Sequence, residues 1–217
     1  MKPLIIANWK CNPATIEEAR ALFNNIEKDI KYKNVVICPP VIFLASLIQE
    51  GFKFGAQDCF WEEKGSYTGE ISPRMIKSIG CEYVIIGHSE RRKILNESNE
   101  DIRKKVEKAK EVGLIPIVCI GESKGQKALE LIKYQIKEID EDVILAYEPL
   151  WSIGTGESAP IEKVKEVREF LKDRKVLYGG SVNSQNAKDY LEITDGLLIG
   201  GASLNSEEFL KIIKSIN

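Results

Sequence analysis

Histidine is almost missing from this sequence. The 217 residues include a single histidine, His88, so a metal centre built from several histidines is excluded and imidazole chemistry has one candidate. The five cysteines are odd in number and show no C-x-x-C spacing, which is the pattern of zinc and redox motifs. Because no export signal precedes them, we interpret them as free thiols in a reducing compartment and expect a cytoplasmic protein.

Long apolar runs and a strong net charge are also missing. No apolar run approaches the roughly 20 residues that a membrane-spanning helix needs, and the apolar stretch near the N-terminus is too short for a signal peptide. A formal net charge of −2 gives no general attraction to nucleic acid or to an anionic membrane. Hydrophobic content of 43% and charged content of 29% are typical of a globular protein with a sizeable core.

Short apolar runs recur along the chain, and most are apolar at nearly every position. This pattern is typical of parallel strands that helices cover on the outside. Charged segments with helical spacing lie between them, and Thr15 with Glu18 has the form of a capping box that opens the first helix. The apolar runs are 4–7, 35–38, 52–56, 83–86, 115–120, 143–147, 176–178 and 197–199.

These runs predict eight strands that alternate with eight helices, with about 27 residues per unit. No Pro/Ser-rich linker or charge block divides the chain, so we predict one domain over residues 1–217. An open doubly wound sheet would need a topological switch point, and no G-x-G-x-x-G motif follows the first run. The sequence therefore favours an α/β fold of the (β/α)8 type, a barrel of eight parallel strands with surrounding helices.

Unusual polar residues follow several of the apolar runs. In a (β/α)8 barrel, side chains at the carboxyl ends of the strands meet on the face where active sites lie. Asn8 and Lys10 follow the first run, and a period of two puts them on one side of the chain. His88 follows the fourth run and Glu148 the sixth. We therefore expect an amide, an ammonium, an imidazole and a carboxylate on one rim.

Two glycine pairs follow the seventh and eighth runs. Gly179-Gly180 and Gly200-Gly201 lie in neighbouring loops where barrels often bind phosphate, because backbone amides at glycine can approach an anion closely. Each pair alone would be interpreted as a tight turn, and each polar residue alone as a packing or solvated side chain. Five strand ends with such residues together favour a site for a small anionic phosphate ester.

Residues 149–159, which follow Glu148 directly, have the composition of a lid. Pro149 restrains the carboxylate, Leu150 and Trp151 are apolar, and Gly154 and Gly156 allow the loop to swing. Such a loop could exclude water from Glu148. We refer to residues 149–159 as the lid segment.

Eight motifs resemble the triosephosphate isomerase family, in the order of that family and over nearly the whole chain. The pair GHSERR and AYEPLWSIGTG is far more specific than any glycine pattern. The resemblance implies the TIM-barrel fold and the interconversion of dihydroxyacetone phosphate and D-glyceraldehyde 3-phosphate, in glycolysis and gluconeogenesis, without metal or organic cofactor. The motifs are NWK (8–10), GAQD (55–58), YTGEIS (67–72), GHSERR (87–92), CIGE (119–122), AYEPLWSIGTG (146–156), YGGSV (178–182) and DGLLIGGASL (195–204).

The resemblance also assigns roles to residues. By the pattern of the family, Glu148 is the base that moves a proton between adjacent carbons, and His88 is a neutral imidazole that polarises the carbonyl. Lys10 supplies positive charge to the phosphate and the enediolate, and Asn8 orients the substrate. The residues implied in phosphate binding, largely through backbone amides, are Gly154, Ser181, Gly200 and Gly201.

The same resemblance implies a homodimer. In this family, the loop that corresponds to residues 61–70 inserts into a second subunit. Thr68 would then approach the partner's Asn8 and the partner's His88, and Glu70 and Arg91 are candidates for a supporting ion pair. The resemblance implies a triose phosphate as the other partner, and no nucleic acid or membrane.

The sequence departs from the pattern of the family in length and at the lid. The chain is shorter than the roughly 250 residues usual for the fold, and the missing length falls between residues 122 and 143 and between 171 and 176, which we expect to be away from the site. Ser152 stands where alanine is usual, and residues 157–159 replace the common Lys-Thr-Ala.

Two other functions remain open from the sequence. One is a different sugar-phosphate barrel, such as an epimerase or a metal-assisted aldolase. The lack of further histidines and of a strand-end lysine other than Lys10 argues against it. The other is a catalytically inactive barrel that only binds a metabolite or a partner. A sequence without Glu148 or His88 would favour this function, and both residues are present.

Overall fold

All eight strands are parallel and form a closed barrel. The computed structural model describes residues 2–30, 34–152 and 156–216. The strands pair in sequence order, and the last strand pairs with the first. This confirms the predicted (β/α)8 fold. The strands are β1 (Leu4–Asn8), β2 (Val35–Cys38), β3 (Lys53–Ala56), β4 (Tyr83–Ile86), β5 (Ile115–Ile120), β6 (Ile144–Tyr147), β7 (Val176–Tyr178) and β8 (Gly196–Ile199).

The helices surround the barrel, but the predicted number of eight is wrong. The described residues contain nine α-helices, because the connection after β4 holds an additional short helix, α4, and one 3-10 helix follows β8. The helices are α1 (Ile16–Glu27), α2 (Val41–Leu47), α3 (Pro73–Ser78), α4 (Ser89–Ile94), α5 (Asn99–Glu111), α6 (Ala128–Gln135), α7 (Ile161–Phe170), α8 (Ala187–Leu191) and α9 (Ser206–Lys214), and the 3-10 helix is Gly201–Leu204.

The core has two layers that follow the alternation of side chains along each strand. Ile6 on β1 belongs to an inner cluster made only of strand residues, whereas Ile5 and Trp9 pack in an outer cluster with buried helix residues. Trp9 is fully buried in that outer layer. The same alternation places Asn8 inside the barrel, as the period of two predicts. Because both faces of each strand are covered, the strands are apolar at nearly every position.

The start of α1 only partly confirms the predicted capping box. The Thr15 side chain accepts a hydrogen bond from the amide of Glu18 at 3.2 Å. The Glu18 carboxylate accepts from the amide of Ala14 at 3.1 Å, not from that of Thr15, so the reciprocal bond of a capping box is shifted by one residue. The complete capping box lies instead at the start of α5, between Ser98 and Asp101.

The short segments of the chain correspond to short elements. Helix α6 has eight residues and β7 has three, and both lie in or next to the stretches where the sequence is shorter than the fold usually requires. In the described part of the chain, no helix combines the length and the apolar character needed to cross a membrane.

Candidate active site

A cavity of about 460 Å³ opens at the carboxyl ends of the strands. Five strands, β1, β4, β6, β7 and β8, end at a residue that lines the cavity or within two residues before one, so closure of the barrel brings distant segments together. Asn8 ends β1, His88 lies two residues after β4, and Glu148 follows β6 directly. The other residues that line the cavity are Lys10, Asn12, Gly156, Gly179, Gly180, Ser181, Val182, Asn183, Leu198, Gly200, Gly201, Ala202 and Leu204.

Glu148 is a buried carboxylate with defined partners on both oxygens. Its Oε2 accepts a hydrogen bond from the amide of Ser89 at 2.9 Å, and its Oε1 lies 3.0 Å from Nε2 of His88. Only 2% of Glu148 is exposed. Burial raises the pKa of Glu148, but the His88 contact and the Ser89 amide outweigh burial and lower the pKa below its usual value. The carboxylate is therefore ionised at neutral pH.

His88 caps the N-terminus of α4 and contacts charged groups on both of its nitrogens. Its Nδ1 accepts a hydrogen bond from the amide of Glu90 at 3.2 Å, which requires an unprotonated Nδ1 and leaves the proton of a neutral imidazole on Nε2. Burial lowers the pKa of His88, whereas the Glu148 carboxylate raises it, and the net direction is upward. The upward shift therefore depends on Glu148 remaining in contact with the ring.

Lys10 also lines the cavity and has an unusual backbone conformation. Its φ of 54° is in the left-handed region, which a residue other than glycine adopts at a cost in energy. Gln57 donates a hydrogen bond to the carbonyl of Lys10 at 2.8 Å, and the amide of Lys10 donates to Oδ1 of Asn8 at 3.0 Å. The ammonium contacts Oε1 of Glu90 at 2.5 Å. These contacts fix the direction of the charged side chain.

The glycines after β7 and β8 leave room for the charged side chains. A Cβ at Gly179 would lie 3.0 Å from Cγ of Glu148, and a Cβ at Gly200 would lie 3.0 Å from Cε of Lys10. By contrast, a Cβ at Gly201 would meet nothing within 4 Å. Gly201 thus lines the cavity with open space on the side where a Cβ would lie.

The remaining predicted phosphate-binding residues are Ser181 and Gly154. Ser181 lines the cavity, and its hydroxyl donates a hydrogen bond to the carbonyl of Ser152 at 2.6 Å. Gly154 lies outside the residues that the structure describes. The cavity therefore brings together seven of the eight predicted site residues: Asn8, Lys10, His88, Glu148, Ser181, Gly200 and Gly201.

The described residues that line the active-site cavity include none from the shortened segment 123–142, but this segment reaches Glu148 from another side. A second cavity, of about 290 Å³, contacts the back of Glu148 and is also lined by Gln126, Leu131 and Gln135 from that segment. The side chain of Gln135 binds both the amide and the carbonyl of Gly121 at 2.9 Å. Because Gly121 packs directly against the Glu148 backbone, the short helix α6 contributes to the support of the carboxylate.

Residues 61–70 are exposed except for Trp61, which is half-buried. Just before this stretch, Asp58 belongs to a cluster of charged side chains beside the site. Arg91 contacts Asp58 at 2.8 Å and Glu97 at 3.2 Å, and the buried ammonium of Lys105 contacts Asp58 and Glu97. Arg91 therefore has two partners within the chain, and its suggested ion pair with Glu70 stays a prediction.

Three residues that contact the site were not predicted individually. Ser89 and Glu90 belong to the GHSERR motif, and Gln57 belongs to the GAQD motif. These motifs indicated the segments, but no local sequence pattern predicted which groups the three side chains or amides contact. Within the described ranges, no three or more histidine, cysteine, aspartate or glutamate side chains are arranged to hold a metal ion.

Comparison with known proteins gives consistent matches over the whole chain. The family model for triosephosphate isomerase matches residues 3–216. The triosephosphate isomerase of Aquifex aeolicus is 41% identical over 247 aligned positions, which cover 99% of this chain and 100% of the relative. That of Alkaliphilus oremlandii is 42% identical and covers 98% of each chain. That of Clostridium botulinum is 43% identical and covers 98% of this chain and 99% of the relative.

Proposed function

The chain belongs to the triosephosphate isomerase family, and we propose that it carries out the reaction of this family in the cavity at the carboxyl ends of the strands. It is an isomerase that interconverts dihydroxyacetone phosphate and D-glyceraldehyde 3-phosphate. The assignment of the site rests on one observation: Glu148, His88 and Lys10 line the same cavity, together with glycines. The reaction serves glycolysis, and in the reverse direction gluconeogenesis.

Glu148 acts as the base. It removes a proton from the carbon next to the carbonyl and returns a proton to the neighbouring carbon, so an enediolate forms and collapses without a net change in atoms. To reach the substrate, the carboxylate leaves the Ser89 amide and His88, the two contacts that lower its pKa. Burial then remains as the dominant influence and raises the pKa of Glu148. The carboxylate is thereby a stronger base when it faces carbon than when it rests.

His88 acts as a neutral imidazole. Its Nε2 proton polarises the carbonyl and moves between the two enediolate oxygens. The Glu90 amide at Nδ1 supports this role, because it can donate only to an unprotonated nitrogen. The contact that raises the pKa of His88 is the one with Glu148, and it is lost when the carboxylate moves to the substrate.

Lys10 and Asn8 bind the substrate opposite the base. The ammonium of Lys10 stabilises the negative charge that develops on the enediolate oxygen and the charge on the phosphate. The contact with Glu90 holds the ammonium in place before substrate arrives. The phosphate lies against the backbone amides at Gly200, Gly201 and Ser181, with Gly154 as the fourth contributor.

The lid segment closes over the substrate during the reaction. An enediolate phosphate that escapes into water would lose its phosphate, so exclusion of water protects the intermediate and strengthens the electrostatic interactions in the cavity. Two of the described lid residues, Pro149 and Trp151, lie at the near end of the segment, next to Glu148. Gly156, further along the segment, lines the cavity. Gly154 would contribute its amide on closure.

We further propose a homodimer through residues 61–70. Nine of these ten residues are exposed in the single chain, including Tyr67, of which 45% is exposed. Insertion of this loop into a partner would bury it and bring Thr68 towards the partner's Asn8 and the partner's His88. An exposed apolar side chain on a long loop is consistent with such a contact.

The proposal includes one domain over residues 1–217, no metal or organic cofactor, and a cytoplasmic location. Four of the five free cysteines are buried and one, Cys11, is exposed, which suits a reducing compartment. The test is a coupled assay in which D-glyceraldehyde 3-phosphate is offered and dihydroxyacetone phosphate is reduced at the expense of NADH. A folded chain without activity in this assay would overturn the proposal.

A further inference from the structure

Two buried tyrosines stack beside the far end of the lid segment. The rings of Tyr178, at the end of β7, and Tyr190, on α8, have centroids 3.8 Å apart and an interplanar angle of 15°. Both rings are almost completely buried. The stacking holds the two hydroxyl groups on the same side, towards Ala159.

The two hydroxyls hold the peptide of Ala159 from both sides. The amide of Ala159 donates a hydrogen bond to the hydroxyl of Tyr178 at 3.0 Å. The hydroxyl of Tyr190 donates to the carbonyl of Ala159 at 2.5 Å. Ala159 is itself buried, so no solvent replaces either partner if it is removed. The last residue of the lid segment is therefore held at its amide and at its carbonyl.

Tyr178 also reaches the near end of the lid segment, through Ser152. The side chains of Tyr178 and Ser152 are hydrogen-bonded to each other, and the hydroxyl of Ser152 donates to the carbonyl of Pro149 at 3.0 Å. Both oxygens lie over Gly180, where a Cβ would come within 2.2 Å of the Tyr178 oxygen and 2.7 Å of the Ser152 oxygen. Glycine at this position is thus required for the two side chains to meet.

The hydroxyl of Tyr178 remains protonated under ordinary conditions. Burial raises the pKa of Tyr178 and Tyr190 raises it further, whereas the hydrogen bonds with the Ala159 amide and with Ser152 lower it. Tyr178 thus accepts a hydrogen bond from the amide of Ala159 and also contacts the side chain of Ser152. These two contacts of Tyr178 link the far end of the lid segment to its near end.

We propose that Tyr190 is a positioning residue for the isomerase reaction: it fixes the Ala159 peptide at the far end of the lid segment, and Tyr178 connects that end to Ser152 at the near end. This inference rests on the proposed function. Glu148 lies immediately before the lid segment, so the two ends of the segment determine the positions that the base can adopt. Alanine at position 152 could not form the hydrogen bond with Tyr178.

The test compares three variants with the wild-type chain. Tyr190→Phe keeps the ring and its stacking and removes only the hydroxyl, and Ser152→Ala removes the connection at the near end. Tyr134→Phe is the matched control, because Tyr134 is 66% exposed on α6 and does not line the active-site cavity. Thermal unfolding of each variant shows whether it is folded.

Two measurements are made on each variant. The first is steady-state kinetics with D-glyceraldehyde 3-phosphate, with the inhibition constant of glycerol 3-phosphate as a substrate-like probe that cannot react. The second is amide hydrogen exchange of residues 156–160 by mass spectrometry, which needs no activity. We expect Tyr190→Phe to lower kcat/KM about tenfold and to speed exchange at Ala159 by a similar factor, because the buried carbonyl of Ala159 loses the hydroxyl donor of Tyr190. Tyr134→Phe should match the wild type in both.

The double variant Tyr190→Phe with Ser152→Ala provides a readout that a purely structural tyrosine would not change. If both residues act through Tyr178, the two losses in kcat/KM combine to less than their product. The inference is overturned if Tyr190→Phe changes only the melting temperature while kcat/KM and exchange stay at wild-type values. An inactive wild-type chain would overturn the proposed function and the catalytic part of the inference, whereas faster exchange in Tyr190→Phe would still support the restraint on Ala159.

Discussion

Replacement of Glu148 by glutamine separates the chemistry of the site from its structure. Glutamine has nearly the same shape, and its carbonyl oxygen can still accept the hydrogen bond from the amide of Ser89 that Oε2 accepts now, at 2.9 Å. The fold should therefore persist, and the variant should still bind a phosphate ester through Lys10 and the glycine amides. What the variant loses is the ability to accept a proton from carbon.

The expected loss of activity is large. A positioned base accelerates a proton transfer roughly 10²- to 10⁴-fold. This corresponds to about 3–5 kcal/mol in the activation free energy of the reaction. Among the described residues that line the cavity, Glu148 is the sole carboxylate, so no second carboxylate is placed to take over. A coupled assay should thus show kcat lower by at least about two orders of magnitude, with the inhibition constant of glycerol 3-phosphate within about threefold of wild type, a change of less than 1 kcal/mol.

The same variant should change the titration of His88. The Glu148 carboxylate, 3.0 Å from Nε2, is the larger of the two influences that raise the pKa of His88 against burial, and Glu90 is the smaller. Two opposite charges at this distance attract by several kcal/mol at an effective dielectric constant of about 20. Without the charge, burial dominates and the pKa of His88 should fall. Since the chain has one histidine, the imidazole signals in an NMR titration are unambiguous. Near-normal turnover, or an unchanged or higher pKa of His88, would refute the reasoning.

Three further predictions concern charge, assembly and metals. Lys10→Met removes the ammonium that faces the phosphate, so kcat/KM should fall about 10²- to 10³-fold, as for loss of an electrostatic stabiliser; a Lys10→Arg variant that regains part of the activity would support the role of charge, and full activity of Lys10→Met would contradict it. Sedimentation at low concentration should show a dimer, and a fully active monomer would contradict the proposed role of residues 61–70. Exhaustive chelation should leave activity intact, and loss of activity that added metal restores would show a metal requirement.

The strands could be predicted because burial on both faces leaves a simple signal in the sequence. Each of the eight apolar runs overlaps a strand, and the runs at 35–38, 83–86, 115–120 and 176–178 have the observed bounds. Once the barrel is closed, the positions of Asn8, His88 and Glu148 follow from their place at strand ends. The site could therefore be assembled from order along the chain alone.

The details that could not be predicted depend on contacts between distant side chains. Helix α4 is a single short stretch of charged residues, which is also the composition of an exposed turn. Glu90 contacts Lys10 across 80 residues of sequence, and Glu18 binds the amide of Ala14 where the local motif predicts that of Thr15. Local periodicity predicts neither of these two contacts, because each carboxylate binds the donor that the folded backbone brings nearest to it.

The short segment 123–142 shows the same limit at a larger scale. The segment contains the eight-residue helix α6, and nothing in its composition indicated contact with the site. Gln135 reaches the backbone of Gly121, and Gly121 packs against Glu148, so the support of the base includes a residue from a helix on the outside of the barrel.

The central claim is that Glu148 moves the substrate hydrogen as a proton, and isomerisation in D₂O tests it most directly. A carboxylate that holds the abstracted proton exchanges it with solvent in some turnovers, so dihydroxyacetone phosphate should give D-glyceraldehyde 3-phosphate with carbon-bound deuterium next to the carbonyl. NMR of the trapped product measures this fraction. Deuterium at that carbon with the wild-type chain, and no conversion with Glu148→Gln, is the predicted result. Rapid conversion without any carbon-bound deuterium would indicate direct hydride transfer and would contradict the account.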